Sequence, residues 1–253
     1  MEICVLASGS SGNCTCISSK NTTILFDVGI SLRTLKKNLS YIGKSPEEVT
    51  AVFVSHEHMD HIKGIPSFSK NYGAPIYLTP GTYASMPYLS NAKLIELERD
   101  YAIGDFSVNT LKTSHDAASP CGFLINSGNK RCGIFTDLGV TSEKIESSFK
   151  ELDAAVLETN HDVDTLLNGN YPYHLKQRIL GDKGHLSNID AGLLVRNNAS
   201  EQLKTVFLAH LSQNNNTPEL ALNTFETLSK QNKLLRHNSI LTSQYKPTDL
   251  IDI

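Results

Sequence analysis

Short apolar runs alternate with polar turns along the first third of the chain. Residues 3–7 are apolar and stop at Ser8-Gly9-Ser10-Ser11-Gly12-Asn13, a turn-rich hexapeptide. Residues 14–18 and 23–26 resume the apolar pattern on either side of Lys20-Asn21. Runs this short, bounded by turn formers, predict strands. The same reasoning predicts strands at 51–54, 76–78, 92–98, 106–111, 122–125, 133–136, 154–158 and 205–208. The pattern changes period at 31–39, which is amphipathic and predicts a helix, and helices are also expected at 65–70, 142–150 and 187–197. Ser187 or Asn188 can cap the last of these. Thr217-Pro218-Glu219 opens another helix, with Thr217 as cap and Pro218 in the first turn.

Strand-rich halves, each finished by helices, predict two packed sheets with helices outside, an α/β fold in α+β order. No repeat, low-complexity tract or linker interrupts the pattern, so one domain over residues 1–253 is expected. That length buries a core without staples. Hydrophobic residues at 40% and charged residues at 19% exclude a disordered chain. No apolar run approaches the roughly 20 residues of a membrane span, so no membrane partner is expected. The first residues lack the basic start of an export signal and read as a strand, which points to the cytoplasm. Five scattered cysteines, Cys4, Cys14, Cys16, Cys121 and Cys132, read as buried thiols there. A net charge of −3 excludes a strongly basic nucleic-acid binder but leaves room for a local basic track. Arg33, Lys36, Lys37, Lys176, Arg178 and Lys183 are candidates for such a track, or are ordinary solvated faces.

Chemistry concentrates in His56-Glu57-His58-Met59-Asp60-His61, directly after an apolar strand. His56 and His58, two apart on extended backbone, point to one side and can share a metal. Asp60 and His61 lie where the chain turns and can reach a second ion, since two-metal sites hold their ions roughly 3.5–4 Å apart. His115, Asp137 and His210 are each the first strong ligand after another apolar strand. Sites are built where strand ends meet. Imidazole and carboxylate suit zinc, manganese or iron.

The set Asp27, His56-x-His58-x-Asp60-His61, His115, Asp137, His210 resembles the five motifs of the metallo-β-lactamase superfamily, in order and over almost the whole chain. The resemblance implies an αββα sandwich of two mixed β-sheets flanked by helices. It implies two divalent metal ions, with His56, His58 and His115 on the first, Asp60, His61 and His210 on the second, and Asp137 bridging. Asp27 would hydrogen-bond the ligand loop and orient it. The implied chemistry is attack on a phosphodiester by hydroxide formed near neutral pH, with Asp60 orienting the water.

β-Lactamases of that superfamily have Cys where Asp137 stands, and oxygen-reducing diiron members have Glu where His58 stands. Only 22 positions separate His115 from Asp137, which leaves no room for the long tRNA-gripping arm of RNase Z. The 73 positions from Asp137 to His210 are too few for the domain inserted in β-CASP nucleases. Glu158-Thr159-Asn160-His161-Asp162, Gly184-His185-Leu186-Ser187-Asn188, the 8–13 loop and the stretch from Tyr171-Pro172-Tyr173 to Gly181-Asp182 look like the bacterial YycJ/WalJ family, whose relatives include PhnP-type phosphodiesterases. That resemblance implies a 5′→3′ exonuclease on DNA, tied to processing at mismatches. The alternative is a phosphodiesterase for a cyclic nucleotide or sugar phosphate. His185 would protonate the leaving oxygen or bind the scissile phosphate. His161 is either a further catalytic residue or a hydrogen-bond partner of Glu158. His174 and His237 are expected at the surface. The 8–13 loop offers N–H groups for a phosphate, or is a simple hairpin turn.

Overall fold

The computed structural model describes every residue, Met1–Ile253. The first half lays down β1 (Glu2–Ala7), β2 (Cys14–Ser18), β3 (Thr23–Phe26), β4 (Ala51–Phe53), β5 (Ile76–Leu78) and β6 (Ala92–Leu94). The second lays down β7 (Asp100–Ile103), β8 (Phe106–Lys112), β9 (Cys121–Ser127), β10 (Lys130–Phe135), β11 (Ala154–Glu158), β12 (Thr205–Ala209) and β13 (Asn238–Leu241), before β14 (Ile251–Asp252). The helices are α1 (Leu32–Tyr41), α2 (Met59–Ile62), α3 (Ile65–Asn71), α4 (Pro80–Ala84), α5 (Glu143–Ser148), α6 (Val163–Asn168), α7 (Tyr173–Leu180), α8 (Asn188–Asn198) and α9 (Pro218–Ser229). Ser31, Ser142, Ser187 and Thr217 each cap a helix by accepting a backbone N–H.

Two seven-stranded sheets form, in the orders β14-β1-β2-β3-β4-β5-β6 and β13-β12-β11-β10-β9-β8-β7. The pairing pattern is the same in both. In the first sheet, pairing is antiparallel from β14 to β3 and parallel from β3 to β6. In the second, it is antiparallel from β7 to β10 and parallel from β10 to β13.

Side chains alternate between two apolar layers along each central strand. Ile24 and Phe26 of β3, with Ala51 and Phe53 of β4, meet Phe123, Val156 and Phe207 of the second sheet between the sheets. Leu25 and Val52 face the other way, against Leu35 and Leu39 of α1 and Phe68 of α3. Ala155, Leu157, Val206 and Leu208 likewise face Val195 of α8 and Phe225 of α9. Burial on both faces explains why these strands read as continuous apolar runs. The result is the expected αββα sandwich.

The predicted strand at 92–98 is shorter than expected. It ends at Leu94, and after Glu98, whose φ is 61°, the chain pairs into the second sheet as β7. Ile95 stays in the layer between the sheets, with Leu97 packed against it, so apolar burial outlasts the hydrogen bonding that defines the strand. His237 is half-buried rather than on the surface, its ring packed edge-on against Phe225 at 5.8 Å. His174 is exposed as expected.

Candidate metal centre and active site

Most of the predicted ligands gather past the C-terminal ends of parallel strands, the edge at which open α/β sheets build their sites, while His115 follows the antiparallel strand β8. Asp27 follows β3, His56 lies just beyond β4, Asp137 just beyond β10, and His210 follows β12. Asp60 and His61 sit in the single turn of α2, with His58 at its N-cap. Three of these residues leave their strands in left-handed backbone: Asp27 at φ 60°, Asp137 at 57° and His210 at 55°. Such geometry costs on the order of 1–3 kcal/mol per residue and persists only where surrounding contacts impose it. At His210 those contacts are visible. Its N–H donates to Ser8 Oγ at 2.7 Å, and its carbonyl accepts from Asn160 Nδ2 at 2.8 Å.

The ligand loop is latched to the chain segment after β3. Val28 N–H donates to His61 O, Gly64 N–H to Val28 O, and Asn13 N–H to Asp60 O. Gly29 lies so close to this loop that a Cβ on it would stand 1.5 Å from the Asp60 carbonyl oxygen. Glycine is therefore a steric requirement there.

The ring nitrogens show what the cluster is built to hold. His115 Nδ1 lies 3.1 Å from the Gly184 carbonyl, which can only accept, so Nδ1 carries the proton and Nε2 presents a lone pair. Ser55 Oγ donates to Asp27 Oδ2 at 2.8 Å and so accepts from His56 Nδ1, which leaves His56 Nε2 bare. These two bare nitrogens stand 3.2 Å and 3.0 Å from His58 Nδ1. In the second group, His61 Nδ1 donates to Asp27 Oδ2 at 2.7 Å and His210 Nδ1 to Glu158 Oε1 at 2.8 Å. Their Nε2 atoms face Asp60 Oδ2 at 3.3 Å and 3.4 Å. Asp137 reaches both groups, with Oδ1 3.5 Å from His115 Nε2 and Oδ2 3.0 Å from His61 Nε2. That Oδ2 is buried and makes no hydrogen bond. Lone pairs and carboxylate oxygens converging in a dry site repel unless cations lie between them. The donor set His56, His58, His115 and the set Asp60, His61, His210 can each hold one divalent ion.

Without cations, protons have to fill that role. Burial opposes charge on His61, yet Asp137 and Asp27 hold its pKa well above the ordinary histidine value. Burial also opposes charge on His210, and Asp137, Asp60 and Glu158 overcome it in the same direction. Burial pushes His56 well below the ordinary value, helped by the neighbouring His61, and burial lowers His115. Asp60 and Asp137 are held low by the histidines around them against the opposing effect of burial.

Two contributors escaped the sequence reading as site residues. Glu158, fully buried at the end of β11, accepts from His185 Nδ1 and His210 Nδ1, both at 2.8 Å, through Oε1. Its Oε2 accepts from the N–H groups of Leu138 and Leu186. Burial opposes its charge, but His185 and His210 hold its pKa at about 2. An ionisable residue closing the otherwise apolar run of β11 was the available signal. Asn13 is the other. Its Nδ2 donates to Asp60 Oδ2 at 3.1 Å.

The 8–13 loop is the hairpin turn between β1 and β2, and most of its N–H groups are engaged within the fold, Ser10 alone of the loop lining the cavity. Its N–H groups at Gly9, Ser11, Gly12 and Asn13 are already spent on Asn13 Oδ1, Gln244 Oε1, Gly9 O and Asp60 O.

A cavity of about 230 Å³ opens over the cluster, lined by His58, Asp60, His115, Asp137, His185 and His210 with Ser10, Tyr171 and Arg178 at its sides. His185 thus faces the reacting space. Burial opposes its protonation, but Glu158 raises its pKa. His161 does not line the cavity. Its ring is buried with both nitrogens unpartnered, so it makes no hydrogen bond to Glu158 either. Of the basic candidates, Arg178 lines the cavity, while Arg33, Lys36 and Lys37 stand exposed on α1 and outside it. Lys176 is tied to the Leu167 carbonyl at 2.7 Å.

Residues 22–237 match the model of the beta-lactamase superfamily domain. The chain is 35% identical over 227 residues to the exodeoxyribonuclease YycJ of Bacillus anthracis, covering 87% of this chain and 86% of that protein. It is 34% identical over 225 residues to the exodeoxyribonuclease WalJ of Streptococcus pneumoniae, covering 86% and 84%. The metallo-β-lactamase fold protein YhfI of Bacillus subtilis superposes with a TM-score of 0.72 over 98% of this chain and 99% of that one, at 18% identity, which speaks for the fold alone. Matched along most of its length in sequence and in fold, the chain belongs to the metallo-β-lactamase superfamily, in its YycJ/WalJ-like branch.

Proposed function

We propose that the protein is a single-domain, metal-dependent exodeoxyribonuclease that removes nucleotides from DNA in the 5′→3′ direction. The observation that carries this reading is the convergence of two three-residue ligand sets, with Asp137 between them, in one cavity that also contains His185. The kinship to proteins named exodeoxyribonucleases over most of their length selects DNA over a small phosphodiester.

His56, His58 and His115 would hold one ion and Asp60, His61 and His210 the other, with Asp137 reaching both. The nitrogen-rich set favours zinc, with manganese or iron as substitutes. Bound ions would supply Lewis acidity, making water acidic enough to attack near neutral pH and offsetting charge on the phosphoryl oxygens. Asp60, steadied by Asn13, orients the attacking water as an acceptor. His185 delivers a proton to the leaving oxygen from Nε2, the ring nitrogen not engaged by Glu158. Glu158 fixes that ring and stabilises its protonated form. His161 we assign to the structure rather than to the reaction. Five unpaired, buried thiols favour a reducing cytoplasm, where DNA repair is the setting we infer.

The test is digestion of 5′-labelled and 3′-labelled linear duplex with zinc or manganese, comparing wild type with His58→Ala and His185→Ala. The reading expects shortening from the 5′ end, loss of metal and activity in His58→Ala, and retained metal without activity in His185→Ala. Metal-loaded wild type that cleaves a small phosphodiester but leaves every DNA intact would end the DNA assignment and keep the metal centre.

A further inference from the structure

A second, larger cleft of about 750 Å³ adjoins the metal centre. His115 lines both it and the smaller cavity. The metal cavity, at about 230 Å³, lies below the roughly 300–1,000 Å³ of pockets that enclose whole ligands. It has room for a phosphodiester group, but not for the nucleosides on either side. The cleft falls inside that range. Its walls combine Leu97, Pro120 and Val140 with three lysines, Lys112, Lys144 and Lys183, and two carboxylates, Glu98 and Glu143, so lysines outnumber carboxylates by one. Lys144 is paired with Glu98 at 2.6 Å. Lys112 and Lys183 are exposed and free of carboxylate partners. At the side of the metal cavity, Arg178 Nε donates to Asp116 Oδ2 at 2.5 Å, which leaves the two Nη groups for an anion.

We propose that this cleft is the binding subsite for the nucleotide adjacent to the scissile bond. Its base lies against the apolar wall, and Lys112 and Lys183 take the neighbouring phosphate. The proposal rests on the exonuclease reading above. It follows from continuity through His115, from volume and from charge. A strand whose phosphodiester sits at the metals must carry its next nucleotide out through a neighbouring space. This cleft offers both an apolar face for a base and unpaired cations for a phosphate.

The experiment compares the metal-loaded enzyme on an oligodeoxynucleotide and on methyl p-nitrophenyl phosphate, which has one phosphate and no second nucleotide. The variants are the double Lys112→Ala/Lys183→Ala and the cleft-filling Ala118→Trp. Both should raise KM for DNA roughly tenfold, and the double variant should flatten the slope of log(kcat/KM) against log salt by about one. Metal content and turnover of the one-phosphate diester should stay as in wild type. DNA kinetics unchanged in both variants overturn the cleft assignment while leaving the nuclease intact. Equal losses on DNA and on the small diester overturn it too, because the residues would then act on the metal centre. Wild type that turns over the diester but no DNA overturns the exonuclease reading, and the subsite with it.

Discussion

Asp27 and Asp137 occupy equivalent places in the two sheets. Each lies past the strand at which pairing switches from antiparallel to parallel, β3 and β10, and each is left-handed, at φ 60° and 57°. Their tasks differ. Asp27 turns its carboxylate to the ligand loop and accepts from Ser55 N, Ser55 Oγ and His61 Nδ1 at 2.8, 2.8 and 2.7 Å. Asp137 faces both ligand sets.

The Asp27 contacts give the first prediction. Asp27→Asn keeps the shape but places an amide where a buried acceptor must meet three donors. Metal affinity at the His61 set should fall by about 10–100-fold, as such supporting groups usually cost. The His56 set should keep its ion. Chelator competition followed by metal analysis checks this. Two ions retained at wild-type affinity would refute it.

Glu158 and His185 should behave as one unit. Glu158→Gln replaces an acceptor shared by two N–H groups with a group that is half donor. Loss of the oriented acid should lower kcat by about 100-fold with KM nearly unchanged. Combined with His185→Ala, the second change should add little, because members of one catalytic unit are not additive. Multiplying losses in the double variant would separate the two residues.

Metal loading should release protons. The raised pKa values of His61 and His210 mean that both rings hold an extra proton at neutral pH in the metal-free protein, and a ligand nitrogen must shed it. His56 and His115, held low by burial, are already neutral and contribute none. Affinity should therefore rise with pH until the raised values are passed and level off above them. Titration calorimetry at pH 7 in buffers of different ionisation enthalpy should show up to two protons released. Zero release would contradict the assignment.

Gly29→Ala should be among the costlier small substitutions, since its new Cβ collides with backbone rather than with a movable side chain. A cost of about 3 kcal/mol is the upper end of ordinary single changes. For a chain of this size that lowers Tm by about 6–12 °C. Gly73→Ala, with nothing within 4 Å of the added carbon, is the matched control. Equal melting of the two variants would show that the close approach of Gly29 to the Asp60 carbonyl is dispensable.

Much of this site was legible because its signal is local. His56-x-His58-x-Asp60-His61 needs one loop, and Asp27, Asp137 and His210 each stand directly past a run apolar enough to declare itself a strand. What escaped depends on three-dimensional neighbours. α7 buries none of its residues, so no apolar stripe marked it, although its Arg178 lines the site. β13 and β14 are short edge strands with little core face. Glu158 reads as an ordinary polar end to a strand until His185 and His210, 27 and 52 residues later, arrive at the same oxygen. His161 is the opposite case. Its neighbourhood in sequence suggested a place in the cavity, and the fold buries its ring behind the wall, with both nitrogens unpartnered.

That shared oxygen makes two distant events answer to one another. A proton added to His185 draws on the same Glu158 Oε1 that polarises His210 toward an ion. Thermodynamic reciprocity then requires that whatever the ion does to the acidity of His185, the proton on His185 does in equal measure to the hold on the ion. With His185 as the proposed acid and His210 as the proposed metal ligand, the two would form a coupled pair, and conditions that exhaust one would retune the other.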